Sequence, residues 1–179
     1  MSAFISAGHH LKDPGAVANG LQENHLTIKV RDKVVELVRA KGYTVITDDD
    51  TETLAEYLHR IKPGTGSVVV EFHFDAGTLN VASGTSAYFM DQASVNSRAF
   101  ADEMARVGAN VLGIPNRGSH SESESHRGRL GLTHEPGITC LVEVAFITNT
   151  KDIHSFNQHF DQLCEAYANV IMKYDDLVK

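Results

Sequence analysis

The apolar residues of the chain follow two alternating patterns, one typical of buried strands and the other of amphipathic helices. Apolar and β-branched runs predict strands at residues 3–7, 43–47, 67–74, 84–90 and 138–146. Apolar stripes with a period near 3.6 predict helices at residues 24–41, 51–61 and 94–112, and a last helix through residues 156–171. The segment 114–129 is rich in Gly, Ser and His, which predicts a surface loop.

Strands that alternate with helices predict an α/β fold, a three-layer αβα domain with a mostly parallel central sheet. In such sheets, sites form at the carboxyl ends of the strands. His9 follows the first predicted strand, His73 is near the end of the third, and Glu143 lies late in the last. The chain contains no linker, repeat or low-complexity segment, so we expect a single domain over residues 1–179.

Composition and charge narrow the classes of function. The 179 residues include 42% hydrophobic and 22% charged side chains, which is ordinary for a globular domain. No stretch approaches the roughly 20 apolar residues of a membrane helix, so we expect no membrane segment. A net charge of −7 argues against nucleic acid as a partner, because that needs a basic face. The N-terminus has no basic and apolar regions of a secretory signal, so we expect synthesis in the cytoplasm without a signal peptide.

Two histidines stand where side chains could reach a site. His9 follows a glycine, which lets the backbone turn tightly and present the imidazole at the end of the sheet. His73 interrupts a buried run, where an unsatisfied polar group costs roughly 1–3 kcal/mol. Each is either a metal ligand or a hydrogen-bonded histidine. Glu71 points to the same face of the strand as His73, either as its partner or as a solvated edge charge.

Two glutamates complete the set of candidates. Glu143 stands among apolar residues, and a buried carboxylate needs a counter-charge, a proton or a metal. Its alternative explanation is a buried ion pair with Arg117 or Arg127. Glu23 lies just before or within the first turn of a helix, where the helix dipole alone would favour an acid.

Together these four residues have the chemistry of a catalytic zinc site, with three metal ligands and a nearby carboxylate that takes a proton from the bound water. Such a site uses two imidazoles and one carboxylate, with water in the open fourth position. Cys140 and Cys164 lie in apolar patterns outside any CxxC motif, so we expect buried reduced thiols and a metal bound by histidine and carboxylate. The candidate ligands form no HExxH motif, and their spacing alone does not establish the site.

Five ordered segments carry a family resemblance: GHHLKDPGA at 8–16, NGLQE at 19–23, FHFDA at 72–76, NRG at 116–118 and LVEVAFITN at 141–149. They resemble motifs of the zinc-dependent N-acetylmuramoyl-L-alanine amidases, the Amidase_3 family. The resemblance implies a sheet of about six strands flanked by helices. It implies His9, Glu23 and His73 as zinc ligands and Glu143 as the catalytic base. The implied reaction is hydrolysis of the amide between N-acetylmuramic acid and L-alanine in peptidoglycan.

The chain departs from the family pattern near these residues. His10 and Leu11 replace paired glycines, so His10 is a rival ligand to His9. Glu71 and Asp75 replace a serine and an asparagine on either side of His73.

Three further histidines lie in the polar segment and near the last strand. His120 and His126 could line the groove, but we expect solvated loop residues, and His134 could reach the rim of the pocket.

The segment 76–94 is short. Regulated cell-division members of the family carry a long inhibitory helix, so its absence here predicts an enzyme that needs no activator. A small amidase without signal peptide, inhibitory helix or separate cell-wall-binding domain resembles a phage or prophage endolysin. We expect such an enzyme to be a monomer that reaches the cell wall after release by a holin-type membrane protein.

Two other functions stay open from the sequence. One is a zinc peptidase or deacylase that acts on another amide. The other is a non-catalytic wall-binding module with a degenerate site, although the presence of all four core residues argues against it.

Overall fold

A computed structural model describes residues 2–125 and 127–178. The main elements, in chain order, are β1 (Ser2–Ala7), β2 (Val17–Ala18), β3 (Leu21–Gln22), α1 (Glu23–Ala40), β4 (Thr44–Thr47), α2 (Leu54–Arg60), β5 (Val68–Asp75), β6 (Thr85–Phe89), α3 (Val95–Leu112), β7 (Asn116–Ser121), β8 (Ile138–Phe146), α4 (Thr150–Gln158) and α5 (Phe160–Leu177). Short 3-10 turns at Glu122–Glu124 and Gly131–His134 link β7 to β8.

The central sheet has six strands in the order β4-β1-β5-β8-β6-β7. Strands β4, β1, β5 and β8 run parallel to one another. Strand β6 pairs antiparallel with β8 and parallel with β7. The predicted α/β fold with a mostly parallel sheet in a three-layer domain is therefore confirmed.

The two faces of the sheet differ in chemistry. Helices α1, α3 and α5 cover one face through one large apolar cluster, to which β5 contributes Val70 and Phe72. A smaller apolar cluster with Val69 and Tyr57 lies under α2 on the opposite face. Because side chains alternate along a strand, Glu71 and His73 share the face of Val69. This second face, referred to below as the polar face, is where buried charged groups collect.

Local chemistry sets the ends of the helices. Gly42 has φ 87° and follows the C-cap Lys41, which ends α1 as the sequence predicts. Helix α2 is shorter than the predicted 51–61, because Thr53 and Glu56 form a capping box that fixes its first turn.

Three features differ from the sequence predictions. The predicted loop 114–129 contains edge strand β7, which pairs with β6 through its backbone and needs no apolar pattern. The last predicted helix is interrupted at His159, which separates α4 from α5. A two-residue hairpin, β2 with β3, precedes α1 and was not predicted.

One expectation from the apolar pattern is met by the structure. Cys140 and Cys164 are buried and free, as the apolar pattern predicts. Among the helices of the described ranges, none is long and apolar enough to cross a bilayer.

Candidate metal centre

Three of the predicted site residues meet at the carboxyl ends of β1 and β5. His9 follows β1, Glu23 is the first residue of α1, and His73 lies near the end of β5. Each offers one ligand atom, and these atoms all lie within 4.8 Å of one another. The fold thus gathers side chains that are far apart in the sequence; we refer to them as the metal cluster.

His9 has an unusual backbone that directs its ring inward. Its φ of 68° lies in the left-handed region, which few residues other than glycine adopt. Nδ1 is 2.8 Å from Asp13 Oδ2. Nε2 is buried and lies 3.2 Å from Glu23 Oε2, but it forms no hydrogen bond. Burial opposes protonation of the imidazole, but the contacts with Glu23 and Asp13 outweigh it and raise the pKa of His9.

Glu23 is fully buried and held at both carboxylate oxygens. Oε1 accepts from Phe74 N at 3.0 Å and lies 3.0 Å from His73 Nδ1. Oε2 accepts from Ala16 N at 2.9 Å. Burial alone would favour the neutral acid, but His73 and His9 outweigh it and hold the pKa of Glu23 well below its usual range. Glu23 is therefore an ionised carboxylate fixed between two imidazoles.

His73 is surrounded by acidic groups. Beyond Glu23 at Nδ1, its Nε2 lies 3.6 Å from Glu71 Oε1. Burial disfavours the imidazolium, but Glu23 and Glu71 raise the pKa of His73 to about 10 when no cation is bound. One cation also approaches, because Arg127 Nη1 lies 3.4 Å from His73 Nδ1.

Two glycines leave room for the cluster. A Cβ on Gly8 would lie 2.3 Å from His73 Cε1. A Cβ on Gly15 would lie 2.6 Å from both Glu23 Oε2 and His9 Cδ2, and Gly15 also has φ 64°. The sequence indicates the turn at Gly8 but not this steric role, which depends on contacts across the fold.

The donor set fits a small divalent cation. Two imidazoles and one carboxylate are the protein ligands of many catalytic zinc sites, in which a further position stays open. The buried Nε2 of His9, close to Glu23 without a hydrogen bond, is an atom that a shared cation would satisfy.

Glu143 lies beside this cluster on β8. It is paired in register with His73 of β5 and is 5% exposed. Its Oε2 has no hydrogen-bond partner, and burial raises its pKa to about 7. The alternative ion pair is not formed, since Arg117 Nη1 contacts Ser83 O and Arg127 approaches His73 instead.

A cavity of about 420 Å³ opens next to the cluster on the polar face. His9, His73 and Glu71 line one side, helix α2 lines another, and Arg127 lies among the residues of the segment that closes it. Two of the three candidate ligands, His9 and His73, therefore face the cavity, whereas the fully buried Glu23 is not among its lining residues.

Of the other candidate histidines, those that the structure describes are not part of the cluster. His10 Nδ1 faces Lys12 N at 3.3 Å, and the three-ligand group found among the described residues contains His9 instead. His120 Nε2 lies 2.9 Å from Arg117 O. His134 Nε2 lies 2.7 Å from Glu122 Oε1, so it ties its turn to a buried carboxylate. His126 lies outside the described residues.

Comparison with known proteins adds a family to this geometry. The model of the N-acetylmuramoyl-L-alanine amidase family, Amidase_3, matches residues 3–173. The uncharacterized Bacillus subtilis (strain 168) protein YqiI is 29% identical over 181 residues, which cover 98% of this chain and 85% of that protein. The amidase LytC of the same strain is 24% identical over 177 residues, 96% of this chain but only 35% of LytC.

Solved structures agree on the fold. The N-acetylmuramoyl-L-alanine amidase from Clostridium difficile 630 has a TM-score of 0.79 at 21% identity, covering 98% of this chain and 96% of that one. The family match extends over nearly the whole chain and includes every residue of the cluster. The chain therefore belongs to the N-acetylmuramoyl-L-alanine amidase family, whose enzymes are metal-dependent hydrolases.

Proposed function

We propose that this chain is a zinc-dependent amidase that hydrolyses the bond between N-acetylmuramic acid and L-alanine in peptidoglycan. In this proposal His9, Glu23 and His73 hold the zinc ion, and Glu143 is the catalytic base. The observation that carries it is the convergence of three ligand atoms within 4.8 Å beside a buried carboxylate that lacks a partner. A single copy of the chain supplies all four residues, so we propose a monomer.

The residues of the chain divide the chemistry between them. When bound, zinc supplies a Lewis acid that polarises the scissile carbonyl and lowers the pKa of water. Glu143 accepts a proton from the attacking water and delivers it to the leaving nitrogen. The C–O bond forms and the C–N bond breaks, which leaves a carboxylate on the lactyl group and a free amine on L-alanine.

The environment of Glu143 suits a group that takes and returns a proton. Burial holds its pKa near 7, which is close to the optimum for a general base at neutral pH. With no hydrogen bond at Oε2, the carboxylate is free to accept from water.

The finer biological proposal is phage-type lysis of the cell wall. Between β5 and β6 the described chain has turns and irregular segments and no helix. We propose that the enzyme acts without an activator and reaches the wall after holin-type release.

Mass spectrometry of digested peptidoglycan tests the proposal. Zinc-loaded protein is expected to release stem peptides with a free L-alanine amino terminus. Chelation and Glu143→Gln should each abolish that product while the protein stays folded. Cleavage within the stem peptide would favour a zinc peptidase, and wall binding without any product would favour a non-catalytic module.

A further inference from the structure

Each imidazole of the metal cluster has a carboxylate beside its outer nitrogen. His9 directs Nε2 at Glu23, and its outer Nδ1 lies 2.8 Å from Asp13 Oδ2. His73 directs Nδ1 at Glu23, and its outer Nε2 lies 3.6 Å from Glu71 Oε1. In both candidate ligand histidines one ring nitrogen faces Glu23 and the other faces a second carboxylate, but the two nitrogens exchange these roles between His9 and His73.

The sheet fixes Glu71 in this place. Glu71 and His73 are two residues apart on β5, so both side chains leave the polar face. Ser6 of the neighbouring strand is paired in register with Glu71, and the Glu71 side chain is 4% exposed. It has no lysine or arginine partner in the parts of the chain described, and its ion-pair contact is with His73 Nε2.

A buried carboxylate without such a partner is costly unless the facing group stays positive or donates a proton. His73 faces Glu71 with Nε2, 3.6 Å from Oε1, and a proton on this nitrogen meets that need. When the proton stays on Nε2, the lone pair of the neutral ring stays on Nδ1, which is the nitrogen that faces Glu23.

We propose that Glu71 is a positioning residue that holds the Nε2–H of His73 and thereby keeps Nδ1 directed at the zinc ion. The inference rests on the proposed function and extends it to a residue outside the ligand set. A carboxylate behind a ligand imidazole increases its basicity and fixes its orientation, and loss of such a group costs about 10–100-fold in metal affinity.

The test measures zinc affinity directly, by competition with a chromophoric chelator. Glu71→Gln keeps the size of the side chain and removes its charge, whereas Glu71→Ser removes the contact. Both are expected to bind zinc about 10–100-fold more weakly than the wild type, with Glu71→Ser the weaker. Saturating zinc should restore much of their hydrolysis.

Glu143→Gln is the matched control, because it also neutralises a buried carboxylate beside the cluster. Glu143 forms no hydrogen bond or ion pair with His9 or His73, so the zinc affinity of the variant should change by less than about threefold while hydrolysis is lost even at saturating zinc. Urea unfolding of the metal-free proteins separates an effect on stability from an effect on metal binding. Absorption spectra of the cobalt-substituted proteins report the ligand field of the bound ion, which changes if His73 changes its position.

Wild-type zinc affinity in both Glu71 variants would overturn the inference. An equal loss of affinity in Glu143→Gln would also overturn it, since the effect would then be one of general charge. The proposed function fails in a different way: zinc-loaded wild type would release no L-alanine amino termini, whatever the order of zinc affinities.

Discussion

His73 and Glu143 occupy paired positions on the neighbouring parallel strands β5 and β8. Their side chains therefore leave the same face of the sheet, with a candidate ligand beside a candidate base. The register shifts immediately beyond this pair, between His73 and Asp75, so the regular pairing of β5 with β8 is interrupted beside the site.

The first prediction concerns Glu143 and pH. In the metal-free native state burial raises the pKa of Glu143 to about 7, whereas in the unfolded state the carboxyl has its ordinary pKa of 4.5. Between these values the native state binds more protons, so stability falls as pH rises. Glu143→Gln removes this loss. In urea unfolding with chelator, the free energy of unfolding of the variant relative to the wild type should therefore rise by roughly 3 kcal/mol between pH 4 and pH 8. Parallel stability profiles for the two proteins would contradict the assignment of that pKa.

The second prediction concerns the room left by Gly15. Gly15 and Gly20 have similar φ angles of 64° and 76°, but only a Cβ on Gly15 would meet the metal cluster. Both alanine variants should lose about 1 kcal/mol of stability from left-handed backbone. Only Gly15→Ala should also lose zinc affinity, measured by chelator competition. Equal zinc binding by the two variants would show that the cluster tolerates the methyl group.

The third prediction concerns the charge of Arg127. Its guanidinium lies 3.4 Å from His73 Nδ1, where it opposes a bound cation. Arg127→Ala is expected to bind zinc a few-fold more tightly, and the gain should shrink in high salt because exposed charges are screened. Arg129→Ala is the control, since Arg129 lines the same cavity without an ion pair or hydrogen bond to the cluster. Tighter binding by both variants in equal measure would assign the effect to net charge.

The fourth prediction separates His134 from catalysis. His134 contacts the buried Glu122, which also accepts a hydrogen bond from Leu130 N at 2.7 Å. These two contacts stabilise the segment that precedes β8. His134→Ala should reduce the unfolding free energy by about 1–3 kcal/mol and leave hydrolysis per folded molecule close to wild type. His120→Ala, which removes a half-exposed side chain, should change stability little. A large loss of turnover in folded His134→Ala would place His134 in the active site.

Much of this fold follows from apolar patterning, because buried strands and amphipathic helices leave clear periods. Strand β7 leaves none, since it is an edge strand with half-exposed side chains that pairs with β6 through its backbone. The apolar pattern also gives no sign of the interruption at His159, because the apolar stripe continues through α4 and α5.

The site could be predicted where a polar residue interrupts an apolar run. His73 and Glu143 are of this kind, and both are buried on the polar face. Glu23 depends on the family resemblance, because an acid at a helix start is otherwise unremarkable. Strand alternation places Glu71 beside His73, whereas the room that Gly8 leaves for His73 depends on a residue of another strand, which no local pattern encodes.

The unequal faces of the sheet have a consequence for evolution. The larger apolar cluster packs under α1, α3 and α5, on the face of the sheet opposite to His73 and Glu71. Substitutions on the polar face therefore leave this larger cluster intact. Glu71, which differs from the family pattern, lies on the polar face and outside that apolar cluster, so this position can vary while the packing that holds the architecture is kept.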